Sequence, residues 1–165
     1  MSTPRESPVH RDTLLLSVLQ TLRVSDVVKS AVPPVCFAPG TPLSAMLERA
    51  SVAGSQELFP VVSGEGRLVG LVTSAVMRVA IAERDDSSWV LAADLMQTPV
   101  SVQGSDDLRT VGERMLSNGL RELPIVANDG AVVGLVTESA LAGVYLQGAA
   151  RAESEARSVR TQERQ

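Results

Sequence analysis

Apolar positions along this chain follow two rhythms, a helical spacing and short continuous runs, and the two alternate in an order that is met twice. Apolar residues at 15, 18, 19 and 22 give the segment 10–22 the spacing of an amphipathic helix. Residues 23–29 extend it by a turn, with Ser25 as a cap. Pro33 and Pro34 force an extended chain into Val35–Phe37, a short strand. Thr41 as N-cap and Pro42 at the first helical position open a helix with Leu43, Met46, Leu47 and Ala50 on its inner face and a stop near Gly54. Leu58–Val62 and Arg67–Val72 predict two strands around a glycine-bearing turn. Thr73 then caps a helix with Val76, Met77, Val79 and Ala80 inward.

The second pass repeats this order. Ala92–Met96 is a helical turn, and Val100–Val102 is a short strand after Thr98-Pro99. Asp106-Asp107 starts a helix ending near Asn118-Gly119, with Leu108, Val111, Met115 and Leu116 inward. Acidic residues there complement the positive helix end. Leu123–Val126, Asn128-Asp129-Gly130 and Ala131–Val136 form a hairpin, and Thr137 starts a last helix reaching Gln147 or beyond. The organisation expected is a disordered tail 1–9, an N-terminal helix 10–22, repeat one over 23–82, a polar linker 83–91, repeat two over 92–147 and a charged tail 148–165. Each half is an α/β unit of strand, helix, strand, strand, helix, too small to hold a core alone. Two copies packed sheet to sheet, sharing one interior, would have a pseudo-two-fold axis and clefts where the halves meet.

Composition narrows the function. Hydrophobic residues make up 44% of the chain but aromatics only 2%, so the core is aliphatic. A net charge of -4 and a pI near 5.0, without a basic stripe or stacking aromatics, argue against nucleic acid as a partner. No apolar run is long enough for direct membrane insertion, and a single cysteine fits a reducing, cytoplasmic setting. One histidine leaves no histidine cluster for a metal. Cys36 has no histidine near it in sequence and is expected to be a small buried hydrophobe. The pairs Asp85-Asp86 and Asp106-Asp107 lack partners spaced for a metal centre. The glycine-rich turns lack the lysine of a phosphate loop, and Gly70 and Gly134 are expected to permit close backbone approach or a bulge. No catalytic constellation emerges, and the chain is not expected to be an enzyme.

The twice-met series resembles a tandem pair of CBS (cystathionine-beta-synthase) domains. It is carried by Asp26-Val27-Val28 and Asp94-Leu95-Met96, the proline-apolar-apolar strands at 60 and 124, and the Gly-Leu-Val-Thr runs ending at Thr73 and Thr137. The likeness spans roughly residues 23–147. More loosely, the whole is similar to the cytoplasmic region of some prokaryotic chloride channel and transporter proteins, where a short apolar helix also precedes the first repeat. The resemblance implies a regulatory module, homodimeric, that binds AMP or ATP in inter-repeat clefts and controls an attached or partner membrane channel, transporter or enzyme domain. It further implies that the backbone of Val35, Cys36 and Phe37 and of Val100, Ser101 and Val102 edges the base. Thr73 and Thr137 would meet phosphates, and Arg121 would assist them.

The chain departs from that pattern at one point in each copy. Three residues past each threonine the resemblance calls for a ribose-clasping aspartate, and Val76 and Ala140 stand there instead. Losing a charged acceptor for a buried hydroxyl pair costs about 1.5–3 kcal/mol, one to two decades in affinity. Blander roles also exist for the polar survivors: Thr73 and Thr137 as helix caps, Arg121 as the partner of Glu122 or of a helix acid. If an anion binds, the N–H groups opening the last helix suit it. The alternative to a nucleotide sensor is a ligand-free structural or dimerisation module, with apolar helix faces starting at Leu43 and Leu108 as the dimer surface.

Overall fold

The computed structural model describes residues 17–28, 32–83 and 89–164. The expected tail 1–9, most of the expected helix 10–22 and the centre of the linker lie outside the described residues; residues 17–21 are helical. In chain order the elements are α1 (Val24–Val27), α2 (Leu43–Ser51), β1 (Leu58–Val62), β2 (Leu68–Thr73), α3 (Ser74–Glu83), α4 (Ala92–Leu95), α5 (Leu108–Asn118), β3 (Glu122–Val126), β4 (Val132–Thr137) and α6 (Glu138–Glu163). β1 pairs antiparallel with β2, and β3 with β4, each ladder slipping register once near the strand end. The result is two β-α-β-β-α repeats, their hairpins packed against one another with pseudo-two-fold symmetry.

The first strand of each repeat is reduced to a single residue. Phe37 makes a parallel bridge to Val61, and Val102 one to Ile125. Phe37 N–H donates to Pro60 C=O (2.9 Å) and Val62 N–H donates to Phe37 C=O (2.8 Å). Continuing that parallel ladder would bring the carbonyl of Val35 to the N–H of residue 60, and proline has none. Pro124 stops the second ladder in the same way beyond Val102. The runs 35–37 and 100–102, expected as strands, therefore end one residue into the sheet.

Helix termini show which residues cap and which do not. Asp107 accepts from Thr110 N–H at 2.7 Å, which holds its carboxyl below the usual aspartate range. Gly119 closes α5 at φ 63°, a conformation glycine adopts without a Cβ penalty. Ser25 caps nothing: the Asp26 carboxylate accepts Arg23 N–H (2.9 Å), as Asp94 accepts Leu91 N–H (2.9 Å). Thr41 likewise binds Ala38 N–H within a turn, and Pro42 stands at the N-cap position. The charged tail does not fray after Gln147; it continues α6 to Glu163.

Buried side chains form two clusters, where a single shared interior was expected. One gathers Phe37, Leu43, Met46, Phe59, Val72 and Met77 with Val90 and Ala92; the other gathers Val102, Leu108, Val111, Met115, Leu123 and Val136 with Val24. Phe37 and Phe59 stack at 4.9 Å in an otherwise aliphatic core. Each cluster thus includes residues from the start of the other repeat or just before it. Full burial of one such side chain stabilises by about 1.5–3 kcal/mol. Leu116 and Val79, expected inward, are exposed, because each falls a residue outside the stripe its helix lays on the sheet.

The backbone makes the same exchange. Leu43 N–H, opening α2, donates to Val90 C=O (2.8 Å), while Ala92 N–H returns to Thr41 C=O (2.8 Å). Leu108 N–H, opening α5, donates to Leu22 C=O (3.0 Å), while Val24 N–H returns to Asp106 C=O (2.9 Å). A further antiparallel bridge joins Leu71 of β2 to Gln97.

Gly70 permits that last contact. A Cβ there would lie 2.8 Å from the Cβ of Met96, closer than carbon atoms tolerate. Gly70→Ala is expected to destabilise the fold by about 1–3 kcal/mol through overpacking. Adding Met96→Ala should return part of that loss. Urea unfolding of the two single variants and the double variant measures both; strictly additive losses would show that the two residues do not meet.

Candidate functional site

Two cavities open between the repeats, and they divide the expected site residues. The larger, about 440 Å³, is bounded by Val35, Val52, Gln56, Glu122, Leu135 and Thr137. The smaller, about 200 Å³, is bounded by Thr73, Arg78, Arg121, Glu57 and again Glu122. Val35 is thus brought to Thr137, and Thr73 to Arg121. Phe37 and Val102 are buried in the two cores with their peptide groups committed to the sheets. Cys36, Val100 and Ser101 are half-buried and bound neither cavity.

Thr73 and Thr137 cap the helices they precede. Val76 N–H donates to Thr73 Oγ1 (3.3 Å) and Ala140 N–H to Thr137 Oγ1 (3.2 Å). Ser74 N–H is taken by Glu57 C=O and Glu138 N–H by Arg121 C=O, each at 2.8 Å. The amino end of α6, expected to present free donors to an anion, therefore has its first and third N–H groups engaged. Each threonine hydroxyl keeps its own proton available to donate.

Arg121 is exposed, its Nε 3.8 Å from the Glu138 carboxylate. The partner is thus the helix acid, not Glu122. So long and solvated a pair is worth a fraction of a kcal/mol, and the guanidinium can turn to another anion at little cost. Burial pushes the Cys36 thiol up, partly opposed by Arg49. That environment disfavours a thiolate nucleophile. Among the described residues no group of three His, Cys, Asp or Glu side chains could hold a metal ion.

Two residues of the site escaped the sequence reasoning. Gln56 binds the Val35 peptide on both sides: Val35 N–H donates to Gln56 Oε1 (3.0 Å), and Gln56 Nε2 donates to Val35 C=O (2.8 Å) and Leu58 C=O (2.9 Å). Glu122, only 9% exposed, reaches across to the first repeat and accepts N–H groups from Leu58 (3.0 Å) and Glu57 (3.2 Å). Both stand where the copies differ in polarity, Gln56 against Leu120 and Glu122 against Leu58. Superposing the copies to ask where they disagree would have found them.

Burial raises the Glu122 carboxyl above the usual range, and its two backbone donors and the nearby Glu57 modify that shift. A raised folded-state value means that the folded chain favours the neutral acid. Its stability contribution is complete below the unfolded value and is lost as pH rises through the folded one. Glu122→Gln keeps the acceptor and removes the charge. The melting temperature of the natural chain is therefore expected to gain on that of Glu122→Gln as pH falls from 7 toward 4.5. A difference independent of pH would contradict this.

The family model for the CBS domain matches residues 24–83 and again 92–146. A CBS domain protein from Pyrobaculum aerophilum, solved in complex with AMP, superposes with a TM-score of 0.67 at 20% identity, covering 78% of this chain and 99% of that one. The CBS domain of a bacterial CNNM/CorC family Mg²⁺ transporter gives 0.66 at 14% identity, covering 86% and 85%. Among curated relatives, a homoserine O-acetyltransferase of Methanocorpusculum labreanum is 32% identical over 84 residues, 50% of this chain. The match spans only 16% of that protein's length.

Proposed function

The chain belongs to the CBS domain family, one copy in each half, and from that premise we propose that it is a regulatory module binding an adenine nucleotide, AMP or ATP, weakly between its repeats. The observation that carries this reading is the larger cleft, whose volume of about 440 Å³ lies in the range of small-molecule sites. In this reading the base lies against Val35 and Thr137 meets the phosphate in the larger cleft. Arg121, which bounds the smaller cavity, turns from its exposed partner Glu138, the residue following Thr137, to assist. AMP is named in the Pyrobaculum relative's complex, which supports the ligand class. The absence of a carboxylate at Val76 and Ala140 sets the affinity low.

Occupancy would be passed to an attached or partner transporter or enzyme, at the cytoplasmic face of a membrane in the transporter case. The similarity to the CBS domain of a bacterial CNNM/CorC family Mg²⁺ transporter supports a transporter as one such partner. Among the described residues no helix is long and apolar enough to cross a membrane, so a membrane component would be a separate element. The boundaries 23–82 and 92–147 remain the proposed repeats, with 83–91 between them. A second reading, a ligand-free structural module, is favoured by one observation: Gln56 already satisfies the Val35 peptide.

Calorimetry with AMP and ATP is expected to give dissociation constants of roughly tens of micromolar or weaker. Arg121→Ala should weaken AMP about tenfold and leave adenosine unchanged. Equal loss for both would place the arginine elsewhere, and no heat with any of them would leave the ligand-free reading.

Dimerisation belongs to both readings. Leu43 and Leu108, once expected to begin the dimer faces, are fully buried within the chain. The apolar surface left at the ends of α2 and α5 is Val52 and Leu116, exposed at 82% and 86%. Sedimentation should show a species of twice the chain mass, weakened by Leu116→Glu. A 17.4 kDa species alone at high concentration would sink the dimer.

A further inference from the structure

We infer that Gln56 is a built-in stand-in for the ligand's heterocycle, an internal plug that any base entering the larger cleft must displace. The inference rests on the nucleotide reading above and deepens it by naming the residue that sets affinity in that cleft. Its ground is a hydrogen-bonding need created by Pro60. Because Pro60 offers no N–H, the Val35 carbonyl has no partner in the ladder. The Val35 N–H likewise finds no backbone acceptor there, the Leu58 carbonyl it would meet being taken by the Gln56 amide. A half-buried peptide in that state binds whatever presents an acceptor next to a donor. The Gln56 amide presents that pair and fills both positions at 3.0 and 2.8 Å, its second amide proton going to Leu58 C=O. The Watson–Crick edge of adenine carries the same pair, a ring nitrogen that accepts beside an exocyclic amine that donates. Amide and base therefore compete for one peptide.

The second repeat supplies an internal contrast. Pro124 leaves Val100 with the same need, but the residue equivalent to Gln56 is Leu120, which has nothing to donate or accept. Among the described residues the Val100 peptide makes no hydrogen bond. A glutamine in one copy only makes the two halves inequivalent toward ligands, although their backbones match.

The test compares the whole natural chain with Gln56→Ala, titrating adenosine while following hydrogen exchange at the Val35 amide. In the variant, Val35 exchange is expected to accelerate at least about tenfold, adenosine to restore protection, and adenosine to bind about tenfold tighter than to the natural chain. Unchanged Val35 exchange overturns the inference. So does equal adenosine affinity in the two folded proteins, an outcome that leaves nucleotide binding itself intact. Failure of both proteins to bind adenosine or AMP overturns the nucleotide reading, and the plug with it. Should Gln56→Ala not fold, Gln56→Ser, whose side chain is too short to span the Val35 donor and acceptor, is held to the same outcomes.

Discussion

The hydrogen bonds exchanged between the two lead-in segments are the constraint on which the rest of the molecule depends. α2 begins on the carbonyl of Val90, a residue that introduces the second repeat, and α5 begins on the carbonyl of Leu22, which introduces the first. A helix start has N–H groups without intrahelical partners, and here each is met from the opposite half. The same segments deliver Val90 and Ala92 to one core and Val24 to the other. Neither half can complete its core or its first helix alone, so the relative position of the halves is set by groups that cannot be left unpaired. The clefts between them inherit that definition.

Within this frame, the sheet edges are set by what two prolines withhold. A sheet edge normally consumes the peptide groups of the strand laid on it. Pro60 and Pro124 stop that process after one residue, leaving the Val35 peptide edge on the larger inter-repeat cavity and the Val100 peptide edge outside both cavities. An unpaired peptide of this kind is costly to bury, so the proline that weakens the sheet also leaves the peptide edge that the proposed base would use. The chain answers the cost differently in its two copies, with the Gln56 amide in one and an apolar leucine in the other.

Glu122 is the second break in symmetry, and it ties the clefts together. It lies on the wall of both cavities while its carboxylate holds two N–H groups of the opposite repeat. A group in that position borders both clefts and the junction between repeats at once.

Much of this was legible in the sequence. The duplicated order of elements, the hairpins at 58–73 and 122–137, the helix start at Asp106-Asp107, the caps Thr73 and Thr137 and the stop at Gly119 follow from local periodicity and capping chemistry, which act within a few residues. The missing carboxylates at Val76 and Ala140 were also visible, because identity alone decides whether a side chain can accept a hydrogen bond. Three things were not legible: that 35–37 would join the sheet through one residue only, that each lead-in segment would serve the other half, and that Gln56 and Glu122 would occupy the clefts. These depend on partners far along the chain, such as Glu122 meeting the peptide of Leu58, and no local pattern encodes which distant donor will need an acceptor. The sequence by itself determined the repeat and its chemistry; the tertiary structure decided which copy's peptide edge is already filled, because that is settled by where unpaired groups find one another after packing.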